Sequence, residues 1–190
     1  MFESIQYDIL LRRTLYLALP PLIYALLIAI VMKIFGYHII GFLIAYFLPP
    51  AGKESIIPLM SAFLKLKGFN ILISILTPVT IVTATDAITA FFMIWNFDLI
   101  LLIPKLGNFL RKLEFKAKEI IIKRNLTRKT YLGIFIFVFI PFQGTGSTTA
   151  SIIGRLLGLE KRKLFMVIVS ASLSSSLFVA LISGCIIKFI

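Results

Sequence analysis

The chain has 190 residues, of which 59% are hydrophobic and 15% charged, with a formal net charge of +12. A soluble domain is about half apolar and a quarter charged, so this composition excludes a water-soluble globular fold and implies an integral membrane protein. One cysteine, Cys185, and one histidine, His38, exclude an intrachain disulfide and a Cys/His metal cluster.

In chain order, Thr14 to Ile34 is the first run with the roughly 20 apolar residues needed to cross about 30 Å of hydrocarbon. Arg12 and Arg13 precede it, and Pro20-Pro21 sits inside it without a convincing small-residue cleavage site, so an uncleaved helix is expected. Phe35 to Leu48 is apolar but too short to span; it meets Pro49-Pro50-Ala51-Gly52 and resumes from Ile56 to Leu66. Phe69 to Phe92 is the second span and runs on through Trp95 to Pro104. Lys105 to Lys129 then holds nine Lys/Arg against Glu114 and Glu119, with Leu106, Phe109, Leu110, Leu113 and Ala117 at helical spacing. Beside a span, that pattern predicts an amphipathic helix on the cytoplasmic surface that binds anionic lipid head groups rather than nucleic acid. Tyr131 to Ile140 is a second short run, broken at Pro141-Phe142-Gln143-Gly144 and resumed from Ala150 to Leu159. Leu164 to Ile187 is the third span.

The two broken runs have the lengths of re-entrant hairpins, whose turns must face protein or a wet cavity rather than lipid. They also repeat: Pro49-x-x-Gly52 matches Pro141-x-x-Gly144 at an offset of 92, which also pairs Ser55 with Ser147. A hairpin does not cross the membrane and the helix after it does, so the second unit enters from the opposite face. The expected fold is therefore all-α, an inverted repeat of re-entrant hairpin plus transmembrane helix. The single membrane domain divides into an N-terminal helix (1–34), repeat 1 (35–104), the basic linker (105–130) and repeat 2 (131–190). With the N-terminus inside, fourteen Lys/Arg are cytoplasmic and only Lys33, Lys65, Lys67 and Lys188 face outward.

The break in PFQGTGSTTASIIGR, residues 141–155, lacks the Lys of a phosphate-binding G-x-x-x-x-G-K-[ST] loop and the third glycine of G-x-G-x-x-G. It keeps their physics: a helix starting near Ser147 offers unpaired amides and a positive dipole end. Gly144, Thr145, Gly146, Ser147 and Thr148, with Arg155 two turns on, form a candidate anion site; close helix packing with a snorkelling Arg155 is the competing reading. In the first half, Lys53 and Glu54 lie at the break and Asp86 lies mid-helix among Thr80, Thr83, Thr85 and Thr89. Glu54 and Asp86 are candidate proton carriers, although Asp86 could equally be the buried partner of Lys53 or Arg155. Ser172, Ser176, Ala180 and Gly184 make a small-residue stripe for close helix packing. No catalytic triad or metal motif is present, so neither an enzyme nor a cofactor is expected.

Pro141, Gly144, Thr145, Gly146, Gly158, Leu159, Arg162 and Lys163 carry a resemblance to the small multidrug export membrane proteins, an uncharacterised prokaryotic family, over roughly residues 45 to 185. The first hairpin resembles that family's other motif more loosely, at Pro49, Glu54, Ile57 and Pro58, with a shorter Glu-to-Pro spacing. The family is similar in architecture to the DedA/VTT membrane proteins, which implies two opposed re-entrant hairpins and lipid translocation. The expected function is a small membrane transporter or lipid flippase for an amphipathic anion such as a polyprenyl phosphate or phospholipid, with proton coupling. The alternatives are a cation or drug exporter and a membrane assembly factor. Membrane lipids are the expected partners, a homo-oligomer is left open, and the location is the cell membrane, multi-pass, with the N-terminus cytoplasmic.

Overall fold

The computed structural model describes residues 2–48, 52–101, 127–141 and 146–187. Every regular element among them is helical: α1 (Phe2–Phe35), α2 (Ile39–Phe47), α3 (Lys53–Leu66), α4 (Ile71–Trp95), α5 (Phe97–Ile100), α6 (Thr127–Phe139), α7 (Ser147–Leu156) and α8 (Lys161–Ile187). Three segments are long and apolar enough to cross a membrane, Thr14–Phe35, Ile71–Trp95 and Lys161–Cys185. They fall within three residues of the expected spans. The expected hairpin tips at 49–51 and at Gly144 and Thr145, and the basic helix between 105 and 126, lie outside the described residues.

Helices α2, α3, α6 and α7 have 9, 14, 13 and 10 residues. At 1.5 Å per residue none reaches more than about 21 Å, well short of the hydrocarbon thickness. Pairwise contacts order these short helices about α4. The α2 ring Phe42 packs on Phe63 of α3, and Tyr46 one turn further reaches Asp86 in the middle of α4. From Lys53 beside Asp86, α3 runs back toward the start of α4. The second pair mirrors this at the other end. Phe139 of α6 meets Phe178 of α8, Ser147 at the start of α7 reaches Asp86, and Arg155 in its last turn lies over Phe97. The starts of α3 and α7 thus meet at one level, and the two helices leave it in opposite directions.

The long helices α4 and α8 run antiparallel. Trp95 packs on Phe165, Asp86 on Ser172, and a side chain at Gly184 would meet Ile75. Their starts are set by equivalent stops. After α3, Gly68 at φ +86° lets its own N–H reach the Lys65 carbonyl and the Phe69 N–H reach Leu64. After α7, Gly158 at φ +73° does the same, with bonds to Arg155 and from Leu159 to Gly154. Both are Schellman caps, in which a left-handed residue satisfies carbonyls that the helix end would orphan. Gly68 and Ile71 each stand 90 positions before Gly158 and Lys161. The N-caps Gly52 and Gly146 stand 94 positions apart because α3 is one turn longer than α7, so the expected offset of 92 is met at neither end of these helices.

Two apolar clusters fill the bundle. Ile39, Leu43, Ile57, Met60, Leu64 and Val79 pack where α4 begins. Ala90, Ile94, Val138, Leu164 and Ile168 pack where it ends. Between α7 and α8 the approach is close: a Cβ on Gly154 would lie 2.4 Å from Cδ1 of the fully buried Leu164. The first helix is attached more loosely. Pro20 has no N–H, so the Tyr16 carbonyl four residues earlier has no helical donor. The Asn96 side chain supplies one at 2.9 Å and also holds the Phe92 carbonyl, pinning α1 to the end of α4.

Candidate functional site

Asp86 is 2% exposed in the middle of α4, between the two apolar clusters. An ionised carboxylate has about four acceptor positions, and here four donors reach it from four other helices. Lys53 Nζ lies 2.7 Å from Oδ2, and Ser172 Oγ donates to the same oxygen. Tyr46 OH and Ser147 Oγ donate to Oδ1 at 2.8 and 2.9 Å. The Lys53 ammonium, itself 5% exposed, also donates to Ser172 at 2.9 Å. A buried charge of this kind is tolerable only when paired and fully hydrogen-bonded.

The helix breaks create this junction. Gly52 and Gly146 are the N-caps of α3 and α7, and neither start carries a side-chain cap bond. The first-turn amides therefore leave a positive dipole end at each start, and the first side chain of each helix, Lys53 and Ser147, points at Asp86. A negative group between two helix starts and one ammonium is electrostatically complementary. Asp86 fills, from within the chain, the position that an external anion would take.

Among the expected site residues, Asp86 and Ser147 come together. Glu54 does not join them: it is exposed in the first turn of α3, with its carboxylate folded against Gly52. Thr148 is exposed, while Gly144 and Thr145 lie outside the described residues. Arg155 stands eight residues beyond Ser147, about 12 Å along α7. It faces Phe97, with its NH2 group 4.0 Å from Asp98 and a buried Nε that has no partner among the described residues. Arg155 and Ser147 therefore stand at opposite ends of the same helix. Gly146 has φ −70° and nothing among the described residues within 4 Å of where a Cβ would project, so its backbone geometry does not require glycine.

The threonines flanking Asp86 are not its ligands. Thr80 and Thr89 donate to the carbonyls of Thr77 and Thr85 in their own helix, and Thr80 is exposed. The partners that local reading missed are Tyr46 and Ser172. Tyr46 is a hydroxyl in the otherwise apolar α2, one signal that could have singled it out. Ser172 belongs to the expected packing stripe; its neighbours Ser175 and Ser176 are buried with no partner among the described residues, while Ser172 bonds both charges.

Three apolar spanning-length helices around an occluded ion pair define the class: a helical integral membrane protein with a charged centre. Within that class the chain belongs to a known family. The model of the family described as "Putative small multi-drug export protein" matches residues 11–178, which include every residue of the junction. No curated protein and no solved structure shows significant similarity to the chain.

Proposed function

We propose that the chain is a small proton-coupled transporter of an amphipathic anion, such as a polyprenyl phosphate or phospholipid. The observation that carries this reading is the fourfold satisfaction of Asp86 by Lys53, Tyr46, Ser147 and Ser172. Protonating Asp86 cancels its charge and frees an ammonium and three hydroxyls beside two helix starts, which are the donors that a phosphate group requires. Proton and anion thus occupy the junction together, and the ionised carboxylate closes it when both have left.

The architecture that suits this cycle is an inverted repeat of two re-entrant hairpins, α2–α3 and α6–α7, each followed by a crossing helix, α4 or α8. The antiparallel long helices and the opposite courses of α3 and α7 support it. The likeness to DedA/VTT proteins rests on the same pattern of elements. The apolar clusters on either side of Asp86 act as alternating plugs, each opening in turn by movement of one hairpin. The N-terminus is cytoplasmic, following the excess of Lys/Arg in 105–129, and that segment lies on anionic head groups. Arg155, beside Asp98 at the cytoplasmic end of α7, is a second point at which a head group passes.

The family's description favours a second reading, export of hydrophobic cations. In that cycle a cation displaces Lys53 from Asp86. The two are separated in proteoliposomes with an imposed pH gradient, using a fluorescent long-chain alkyl phosphate and ethidium as probes. The first reading expects gradient-driven alkyl phosphate flux that disappears in Asp86→Asn. Flux of ethidium alone establishes the second, and flux of neither, or flux unchanged in Asp86→Asn, overturns proton-coupled transport through this centre.

A further inference from the structure

Helix α1 is anchored to the bundle at two levels. Below, Asn96 holds the Tyr16 carbonyl and the Tyr16 ring packs on Phe91. Above, Val31, Leu27 and Ile28 join the core where α4 begins. Between these anchors lie Pro20 and Pro21, flanked by two recesses. One, of about 240 Å³, is walled by Tyr24, Phe47, Ile88, Thr89 and Phe92. The other, of about 170 Å³, lies between Ile23, Ala87, Phe91 and Phe165. Pro20 and Ile88 line both.

Three observations say what belongs there. The groove lies within a spanning segment, and the outward side of α1 beside it is apolar and bare, with Leu22 65% and Leu26 61% exposed. Its walls carry no charge, and a water there would lack the two to four polar partners it needs. One wall of the groove also adjoins the charged junction. Ala87, Ile88 and Thr89 directly follow Asp86, and the Phe47 ring packs on both Tyr24 and Tyr46, at 6.1 and 5.7 Å. Tyr46 in turn donates to Asp86. An apolar slot open to hydrocarbon, one side chain removed from a polar centre at the same depth, matches a molecule with a tail and a head.

We infer that the groove between α1 and α4 is the binding site for one alkyl chain, the tail of the transported molecule, whose head group reaches the Asp86–Lys53 junction. The inference rests on the proposed transport reading for the head group but stands on its own for the tail. Its site residues are Pro20, Tyr24, Phe47, Ile88, Thr89 and Phe92, and the substrate class is single-chain or loosely packed amphiphiles that enter sideways from the bilayer.

The test is photolabelling of the full chain in nanodiscs with dodecyl phosphate bearing a diazirine near the chain end, followed by peptide mapping. Adducts should concentrate on the groove walls at Tyr24, Ile88 and Phe92. Excess dodecyl phosphate should remove them and inorganic phosphate should not. Ile88→Trp, which fills the slot, should lower the yield at least about tenfold, the change that 1.4 kcal/mol makes in an equilibrium. Wild-type adducts spread equally over Leu22 and Leu26, or groove adducts that excess dodecyl phosphate leaves in place, would overturn the site without recourse to any variant. A dodecanol probe separates the two ideas. Equal groove labelling by dodecanol and dodecyl phosphate, unchanged in Asp86→Asn, keeps the tail site and rejects the anionic head-group reading.

Discussion

Lys53 and Asp86 are the residues whose energetics decide most. Removing one member of a buried pair strands the other charge, at a cost of about 3–5 kcal/mol, whereas replacing both by apolar residues is often neutral. Lys53→Met and Asp86→Leu should each lower the unfolding midpoint strongly in detergent, and the double variant should recover much of the loss. Additive losses would mean that the 2.7 Å contact is not the dominant interaction of either group. The glycines offer a contrasting test. Gly68 and Gly158 have positive φ, so alanine at either should cost about 1–2 kcal/mol. Gly146 does not, and Gly146→Ala should fold with wild-type stability or slightly better. If Gly146→Ala keeps its stability but loses transport, the open space beside it is used by substrate; if it loses stability, the turn makes a demand that its φ does not reveal.

Among the elements, α7 and α8 are coupled through Gly154 and Leu164. Leu164 is fully buried and has little room to yield. Gly154→Val should therefore destabilise by about 1–3 kcal/mol through overpacking. Leu164→Ala should be costly alone, yet partly rescue Gly154→Val, because the deleted methyls are those the valine meets. Thermal unfolding of the two single variants and the double variant measures this directly. Failure of rescue would show that the cost arises from the backbone of the α7 cap, where Gly154 also accepts the Leu159 N–H, and not from side-chain crowding. For α1, Asn96→Leu removes the donor to the Tyr16 carbonyl and should loosen its lower anchor, seen as faster proteolysis before the Thr14–Phe35 span with the rest of the bundle intact.

For the whole molecule, α3 and α7 run in opposite directions from Asp86, and the proposed orientation puts the end of α3 outside and the start of α6 inside. In a Cys185→Ser background, Lys67→Cys and Lys129→Cys are both at exposed positions. A membrane-impermeant maleimide should label the first from outside intact cells and the second only after permeabilisation. Labelling of both from one side would sink the inverted arrangement and with it the alternating-plug mechanism.

What could be read from the chain alone was whatever the solvent dictates. Hydrocarbon permits only helices and closed barrels, and an unbroken run of about 20 apolar residues fits only the first, so Thr14–Phe35, Ile71–Trp95 and Lys161–Cys185 were legible to within a turn. The short runs were legible too, because Pro and Gly interrupt them at fixed places. Asp86 was visible as a charge where charges are expensive. Lys53 was one of two cations that could pair with it, and the structure selects Lys53 over Arg155; Tyr46 and Ser172 were not legible as partners, since they lie 40 and 86 residues away and a helical sequence records only neighbours three or four positions apart. Arg155 lies two turns beyond Ser147, as its spacing implied, and its position beside Phe97 and Asp98 is what the sequence did not show. Glu54 adjoins Lys53, but a helix turns about 100° per residue, so one faces the core and the other does not. Which charge meets which, and on which side of a helix a residue falls, depended on five helices packing together, and only the tertiary structure decided it.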